Sequence, residues 1–261
     1  MKNTFLIEFL NQRKNALRGF LMKSSDNNDH VVVMLGGFER TSSSEKKFEL
    51  LSNELKSNNI DSFRFDAASL GLSDGDFYQT TTQTVADDLT SAINVVRSLG
   101  YKKISFAGHS HAGCNLSLIL KTVTLTKIVL MAPALNQKEL FRLWFAQSEN
   151  PNQEINWENY RKYLDETRFL KSLSTDMICE KHILGPSLAQ TNHSVDYAVH
   201  FHNYDLNKIL LIHGDSDAIC PIESLTIKFP NKIIVENGDH DIDKPEIIKL
   251  WLKKAATFIA N

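Results

Sequence analysis

The sequence predicts an α/β fold: a mostly parallel central sheet with helices on both faces and a helical cap insertion. Three observations lead there. Short β-branched runs alternate with longer segments of helical period. The runs are continuously apolar instead of alternating, as expected of strands covered on both faces. One long stretch, residues 136–204, breaks the rhythm with helix-like, aromatic-rich sequence.

In chain order, residues 31–35 (VVVML), 62–65 (SFRF), 104–107 (ISFA), 128–131 (IVLM), 209–212 (ILLI) and 233–235 (IIV) read as strands, and residues 16–22 as an earlier one. Phe48, Leu51 and Leu55 share one helical face, and Val85, Leu89, Ile93 and Val96 share another that Gly100 ends. Residues 114–120 suit a helix. Ile247, Ile248, Trp251, Leu252, Ala255 and Ile259 form a terminal stripe backed by Lys249, Lys253 and Lys254, which reads as a helix covering the sheet. The runs at residues 42–44 (SSS) and 80–82 (TTT) read as N-terminal helix caps. A structureless loop spanning 136–204 is improbable in a compact domain, so the expected organisation is a core of residues 1–135 and 205–261 with a helical insertion at 136–204.

Composition excludes several classes of protein. With 42% hydrophobic and 23% charged residues in 261, the chain is an ordinary globular one. Its 29 Lys and Arg against 31 Asp and Glu leave no basic surplus for phosphates, so no nucleic-acid partner is expected. Cys114, Cys179 and Cys220 are widely spaced and odd in number, which fits reduced thiols, with Cys114 and Cys220 as small buried hydrophobes. His200 and His202 could share a strand face but have no third ligand at a sensible spacing; neither a metal nor a cofactor is expected. Glu8 interrupts the N-terminal apolar stretch, no cleavage site follows, and no run approaches the ~18 residues of a membrane span. A cytoplasmic protein is the expectation.

The chemistry concentrates in three places. Gly108-His109-Ser110-His111-Ala112-Gly113 directly follows the 104–107 strand and precedes a helix. A serine on so sharp a turn exposes its hydroxyl above the sheet, and the turn needs small residues two positions either side. His213-Gly214-Asp215-Ser216-Asp217 follows the 209–212 strand, and Asn237-Gly238-Asp239-His240 follows the last one. Both put polar groups at the C-terminal ends of parallel strands, where α/β sheets build their sites. Ser110, Asp217 and His240 occur in the order nucleophile, acid, base.

With these motifs, and with Gly36-Gly37-Phe38 and the loop DAASLGLSDG at 66–75, the chain resembles the α/β-hydrolase superfamily along nearly its whole length. It looks most like small bacterial serine esterases, including cinnamoyl and feruloyl esterases, and serine-aminopeptidase-like hydrolases. The resemblance implies Ser110 as nucleophile, His240 as base and Asp217, rather than Asp215 or Asp239, as the orienting acid. It also implies an oxyanion hole from the backbone N–H groups of Phe38 and His111. The flanking His109 and His111 are expected to line the turn. The chain departs from the family pattern at Gly36, where a histidine is usual, at Ser69, where a glycine is usual, and at Cys220, where a valine is usual.

The insertion would then cap the nucleophile, with some of Phe141, Trp144, Phe145 and Trp157 reaching substrate and its other aromatics forming the cap's own core. The expected activity is hydrolysis of carboxylic esters with an apolar or aromatic acyl group through an acyl-enzyme. A thioester or amide is the alternative substrate, and a catalytically silent ligand-binding protein the alternative class.

Overall fold

The computed structural model describes residues 3–25 and 27–261. The chain begins with β1 (Thr4–Leu10), β2 (Ala16–Met22) and β3 (His30–Leu35), then α1 (Lys46–Ser57), β4 (Asp61–Phe65), α2 (Thr82–Ser98), β5 (Lys103–His109), α3 (Ala112–Ile119) and β6 (Ile128–Met131). The segment that follows holds α4 (Gln137–Glu149), α5 (Glu166–Ser172), a two-stranded hairpin of β7 (Met177–Ile178) and β8 (Ile183–Leu184), and α6 (Ser187–Asn192). The chain closes with β9 (Ile209–Gly214), β10 (Asn231–Val235) and α7 (Pro245–Ala260). Eight strands form one sheet in the order β1-β2-β4-β3-β5-β6-β9-β10, antiparallel at β1/β2 and β2/β4 and parallel from β4 to β10. The mostly parallel α/β architecture is the one expected.

The continuous apolar strands follow from burial on both faces. Val31, Val33 and Leu35 point into a core shared with Leu89, Ile93 and Val96 of α2. Val32 and Met34 point to the opposite core, against Phe48, Leu51 and Leu55 of α1 and Trp251 of α7. Successive side chains alternate across a strand, so every position must be apolar when both faces are covered. Each such side chain contributes roughly 1.5–3 kcal/mol on burial.

One strand is added to those expected, and three local expectations are corrected. Residues 4–10 form an edge strand whose exposed Phe5, Leu6 and Leu10 blur the pleat; its pairing with β2 carries the Glu8–Arg18 ion pair at 2.7 Å. Serines 42–44 do not cap α1, whose N-cap is Glu45 without a side-chain bond. The Ser42 hydroxyl instead sits between the carbonyls of Met34 (3.1 Å) and Phe65 (2.5 Å), and Ser43 bonds to the Asp66 carboxylate through Oγ (2.6 Å) and its backbone N–H (3.1 Å). The ends of β3 and β4 need donors there, and serines meet that need before the helix begins. Residues 136–204 contain a strand pair, β7/β8, too short to show a period. His200 lies in a 3₁₀ turn (Tyr197–Phe201), stacked on Tyr197, with His202 as that turn's C-cap, and neither is on a strand. The threonine run does cap α2: Thr81 Oγ1 accepts from Thr84 N at 3.1 Å while Thr84 Oγ1 accepts from Thr81 N at 2.9 Å.

The 136–204 segment lies over the C-terminal end of the sheet and builds two small cores on opposite sides of α4. One holds Leu140, Leu143, Ile155 and Tyr160; the other holds Phe141, Phe169, Leu173 and Ala189. Its last turn, with Tyr197 and Phe201, packs into the core beneath the sheet instead. No helix among the described residues is long and apolar enough to cross a membrane.

Candidate active site

Ser110 stands between β5 and α3 with φ 54°, a left-handed conformation that costs a residue with a Cβ on the order of 1–2 kcal/mol. Backbone bonds hold it there: Ser110 N–H donates to Met131 O (2.8 Å), and Ser110 O accepts from Gly113 N–H (3.1 Å) and Ala134 N–H (3.2 Å). A Cβ on Gly108 would come within 2.5 Å of the Phe106 ring and 2.9 Å of Ala112 Cβ. That contact explains the motif. Alanine fits two residues after the serine because glycine stands two before it.

His240 Nε2 lies 2.9 Å from Ser110 Oγ, and His240 Nδ1 lies 2.8 Å from Asp217 Oδ2. The Asp217 side chain is fully buried, and its other oxygen accepts from Ile219 N–H (3.0 Å) and Cys220 N–H (2.8 Å). Three donors thus fix the carboxylate. Asp215 and Asp239 are engaged elsewhere: Ser216 Oγ donates to Asp215 (3.0 Å), while Asp239 bonds to Lys244 (2.8 Å) and Ile242 N–H (3.1 Å). The Lys244 bond holds Asp239 below the ordinary carboxylate range.

Two further side chains pin the backbone of the histidine loop. His109 Nε2–H donates to His240 O at 2.8 Å, and the buried Lys47 ammonium donates to Asp241 O at 3.1 Å. Burial, then the nearby Lys47 charge, push His109 well below the usual histidine range, so it is a neutral donor, and its Nδ1 has no hydrogen-bond partner among the described residues. His213 is likewise lowered by burial. Its Nε2–H donates to Cys220 O at 2.9 Å and lies 3.4 Å from Asp217, as a neutral ring supporting the Asp217 loop. Cys220 and Cys114 are fully buried, which raises both thiols well above their ordinary values. Lys47 carries no sequence signal and only chain packing brings it here, whereas His213 opens the motif that ends at Asp217.

The N–H groups of Phe38 and His111 flank the serine and donate to no backbone or side-chain acceptor among the described residues. A Cβ on Gly37 would lie 3.0 Å from Ser110 Cβ, and one on Gly36 would lie 2.6 Å from Arg40 O. Gly36 is required by the loop's own tight return past Arg40, whereas at Gly37 a side chain would press directly on the serine. Ser69, where the resemblance has glycine, adopts φ 72° and bears the strain. The His111 ring reaches into a buried network: Nε2–H donates to Thr82 Oγ1 (3.0 Å), Thr82 Oγ1 donates to Asn192 Oδ1 (2.9 Å), and Tyr197 OH donates to the same oxygen (2.8 Å). Burial pushes His111 down to about 4.

Two cavities meet at Ser110. The larger, about 420 Å³, is walled by Phe141, Trp144, Phe145 and Phe169, with Met177 and Leu188 closing it. The smaller, about 280 Å³, runs past His240, Arg40 and Ile219 on the other side of Trp144. Trp144 lines both and is anchored by Nε1–H to Ile219 O at 2.8 Å. Of the four aromatics expected at substrate, Phe141, Trp144 and Phe145 line the large cavity and Trp157 lines neither. Trp157 packs against Tyr160 (ring centroids 5.5 Å apart) in the core on the far side of α4. Phe169, Met177 and Leu188 were not anticipated as lining residues. They come from α5, the hairpin and α6, whose distance from Ser110 no local pattern encodes.

Fold and site geometry together define an α/β hydrolase. Residues 26–236 match the family model described as serine aminopeptidase, S33, and the chain belongs to that family. No curated protein matches it in sequence. Among solved structures it is similar to Est1E from Butyrivibrio proteoclasticus with ferulic acid bound, at TM-score 0.75 and 17% identity over 97% of each chain. It is also similar to the Pyrococcus furiosus esterase Pf2001, at TM-score 0.69 and 16% identity over 98% of this chain and 90% of that one. The esterase domain of a Rhodothermus marinus protein follows at TM-score 0.68 and 13% identity over 98% of each. Identities this low speak to the fold alone.

Proposed function

We propose that the protein is a serine esterase that hydrolyses carboxylic esters with an apolar or aromatic acyl group. The observation that carries this reading is the unbroken hydrogen-bonded series Ser110–His240–Asp217 at the junction of an apolar cavity and a second, more polar one. A serine hydroxyl is a weak nucleophile until a base takes its proton during attack, and His240 Nε2 is within reach to do so. Asp217 holds the ring with Nδ1 protonated and stabilises the imidazolium that forms. The oxyanion of the tetrahedral intermediate accepts from Phe38 N–H and His111 N–H, each such donor being worth about 3 kcal/mol in related sites.

The two cavities divide the substrate. His240 lines only the smaller one. The imidazolium must hand its proton to the leaving oxygen, so the alcohol departs on that side. The acyl group then occupies the large aromatic-walled cavity, a volume within the usual range for small-molecule sites. Water enters from the alcohol side after departure, gives its proton to His240 and cleaves the acyl-enzyme. The ferulic acid in the Est1E structure supports an aromatic acyl group as one occupant.

The test is labelling with an alkyl fluorophosphonate together with hydrolysis of p-nitrophenyl and cinnamoyl esters. Modification of Ser110 alone, and loss of both labelling and turnover in Ser110→Ala with an unchanged circular dichroism spectrum, are the expected results. Labelling elsewhere, or none in the folded protein, refutes the reading. A preference for acyl thioesters or aminoacyl amides would keep the series of residues and replace the substrate.

A further inference from the structure

The residue after Phe38 has an arrangement that neither the fold nor the serine site requires. Residues 37–40 form a turn closed by Arg40 N–H to Gly37 O at 3.2 Å, and its third position, Glu39, has φ 55°. Glycine or asparagine is the usual occupant of such a position. Here the strained backbone aims a carboxylate, only 8% exposed, at the tip of the β7–β8 hairpin, more than a hundred residues away in sequence. The carboxylate takes three donors there: Glu180 N–H (3.0 Å), Lys181 N–H (3.2 Å) and His182 Nδ1 (2.8 Å).

The contacts close on themselves. The His182 ring stacks on Phe77 with centroids 4.3 Å apart and planes 25° apart, and Phe77 packs on Phe38 at 5.6 Å. His182 thus touches Glu39 directly and supports Phe38 through Phe77. The base of the hairpin is tied separately to residue 78: Gly185 N–H donates to Tyr78 O (3.0 Å) and Tyr78 OH donates to Asp176 (2.9 Å). On its inner face the hairpin supplies Met177 to the wall of the large cavity and Leu184 to the core, while Ile178 stands at the cavity mouth, 90% exposed. A few residues with so little buried apolar surface have no stable position of their own.

We propose that Glu39 is a positioning residue for acyl selectivity: its carboxylate holds the hairpin as a wall of the acyl cavity and ties that wall to the loop bearing the Phe38 N–H. This rests on the esterase reading above. Without the three bonds, the hairpin swings on its Tyr78 anchor and the cavity loses the Met177 side. Short acyl groups, which do not reach that wall, then bind as before. Long ones lose their contacts.

The experiment has two readouts on wild type, Glu39→Ala, Glu39→Gln and His182→Phe. Hydrogen exchange reports the clamp: the amides of Glu180 and Lys181 are protected in wild type and exchange faster in Glu39→Ala, with Glu39→Gln in between. Kinetics on p-nitrophenyl esters from acetyl to decanoyl report its use. Glu39→Ala raises KM for the octanoyl and decanoyl esters about tenfold and for the acetyl ester less than about twofold, as expected for loss of charge-assisted bonds. His182→Phe keeps the stack, loses one bond and falls between. Unchanged exchange in Glu39→Ala overturns the clamp. Faster exchange with an equal loss at every acyl length overturns the selectivity role, as does a folded wild type that protects these amides yet hydrolyses none of the esters. Glu39→Gln keeps the volume and one acceptor oxygen but turns an amide NH2 toward a donor, so it loosens the clamp without opening a cavity and answers the question if Glu39→Ala does not fold.

Discussion

His111 predicts an acid sensitivity that a single substitution removes. Its ring is buried, donates Nε2–H to Thr82, and has its pKa lowered from 6.5 to about 4. Between those values the unfolded chain binds a proton that the folded one refuses, so stability falls as pH falls through the window. The contribution is complete above pH 6.5 and lost below about pH 4. At 1.36 kcal/mol per pH unit the loss amounts to about 3 kcal/mol. His109 and His213, also lowered by burial, act in the same direction. Glu45 acts oppositely: burial raises it to about 6, so the folded state takes up a proton first and gains stability as pH falls from about 6 toward 4.5. All three are present in wild type and in His111→Gln, which keeps a donor for Thr82 and cannot charge. The assay is urea denaturation followed by tryptophan fluorescence between about pH 7 and pH 4. The stability difference between variant and wild type should shift in favour of the variant by about 1.4 kcal/mol for each pH unit below 6.5. A difference that stays constant with pH would refute a buried, neutral His111.

Two further outcomes follow from the site. Asp217→Asn keeps an acceptor for Ile219 and Cys220 but releases the His240 tautomer, and kcat for p-nitrophenyl esters should fall by about 10⁴-fold while the urea midpoint moves little. A fall of less than about tenfold would remove Asp217 from the reaction. Phe145→Ala should extend the longest acyl group accepted, because Phe145 walls the large cavity, whereas Trp157→Ala should lower stability by up to about 3 kcal/mol without changing the acyl profile. An altered acyl profile in Trp157→Ala would contradict its place on the far side of α4.

The parts legible in the sequence are those fixed by neighbours along the chain. The parallel strands announce themselves because burial on both faces leaves no polar position in VVVML or ILLI. The serine turn is legible because the Gly108–Ala112 crowding lies within five residues. The edge strand β1 is obscured because three of its five apolar side chains meet water, and the hairpin because two residues per strand carry no period. The serines after β3 mislead because the same hydroxyl chemistry that caps helices also satisfies strand-end carbonyls.

The sequence by itself determined the fold family, the strained serine and the order of the polar residues, since each rests on spacing within a single strand-and-turn unit. Only the tertiary structure decided which aromatics turn toward Ser110 and which toward the second core of residues 136–204, which side chains pin the backbone beside His240, and that Glu39 catches a hairpin more than a hundred residues away. Those outcomes depend on how separate elements approach one another over the end of the sheet. Side-chain identity sets what a residue can bond to, but long-range packing sets what comes within 3 Å of it.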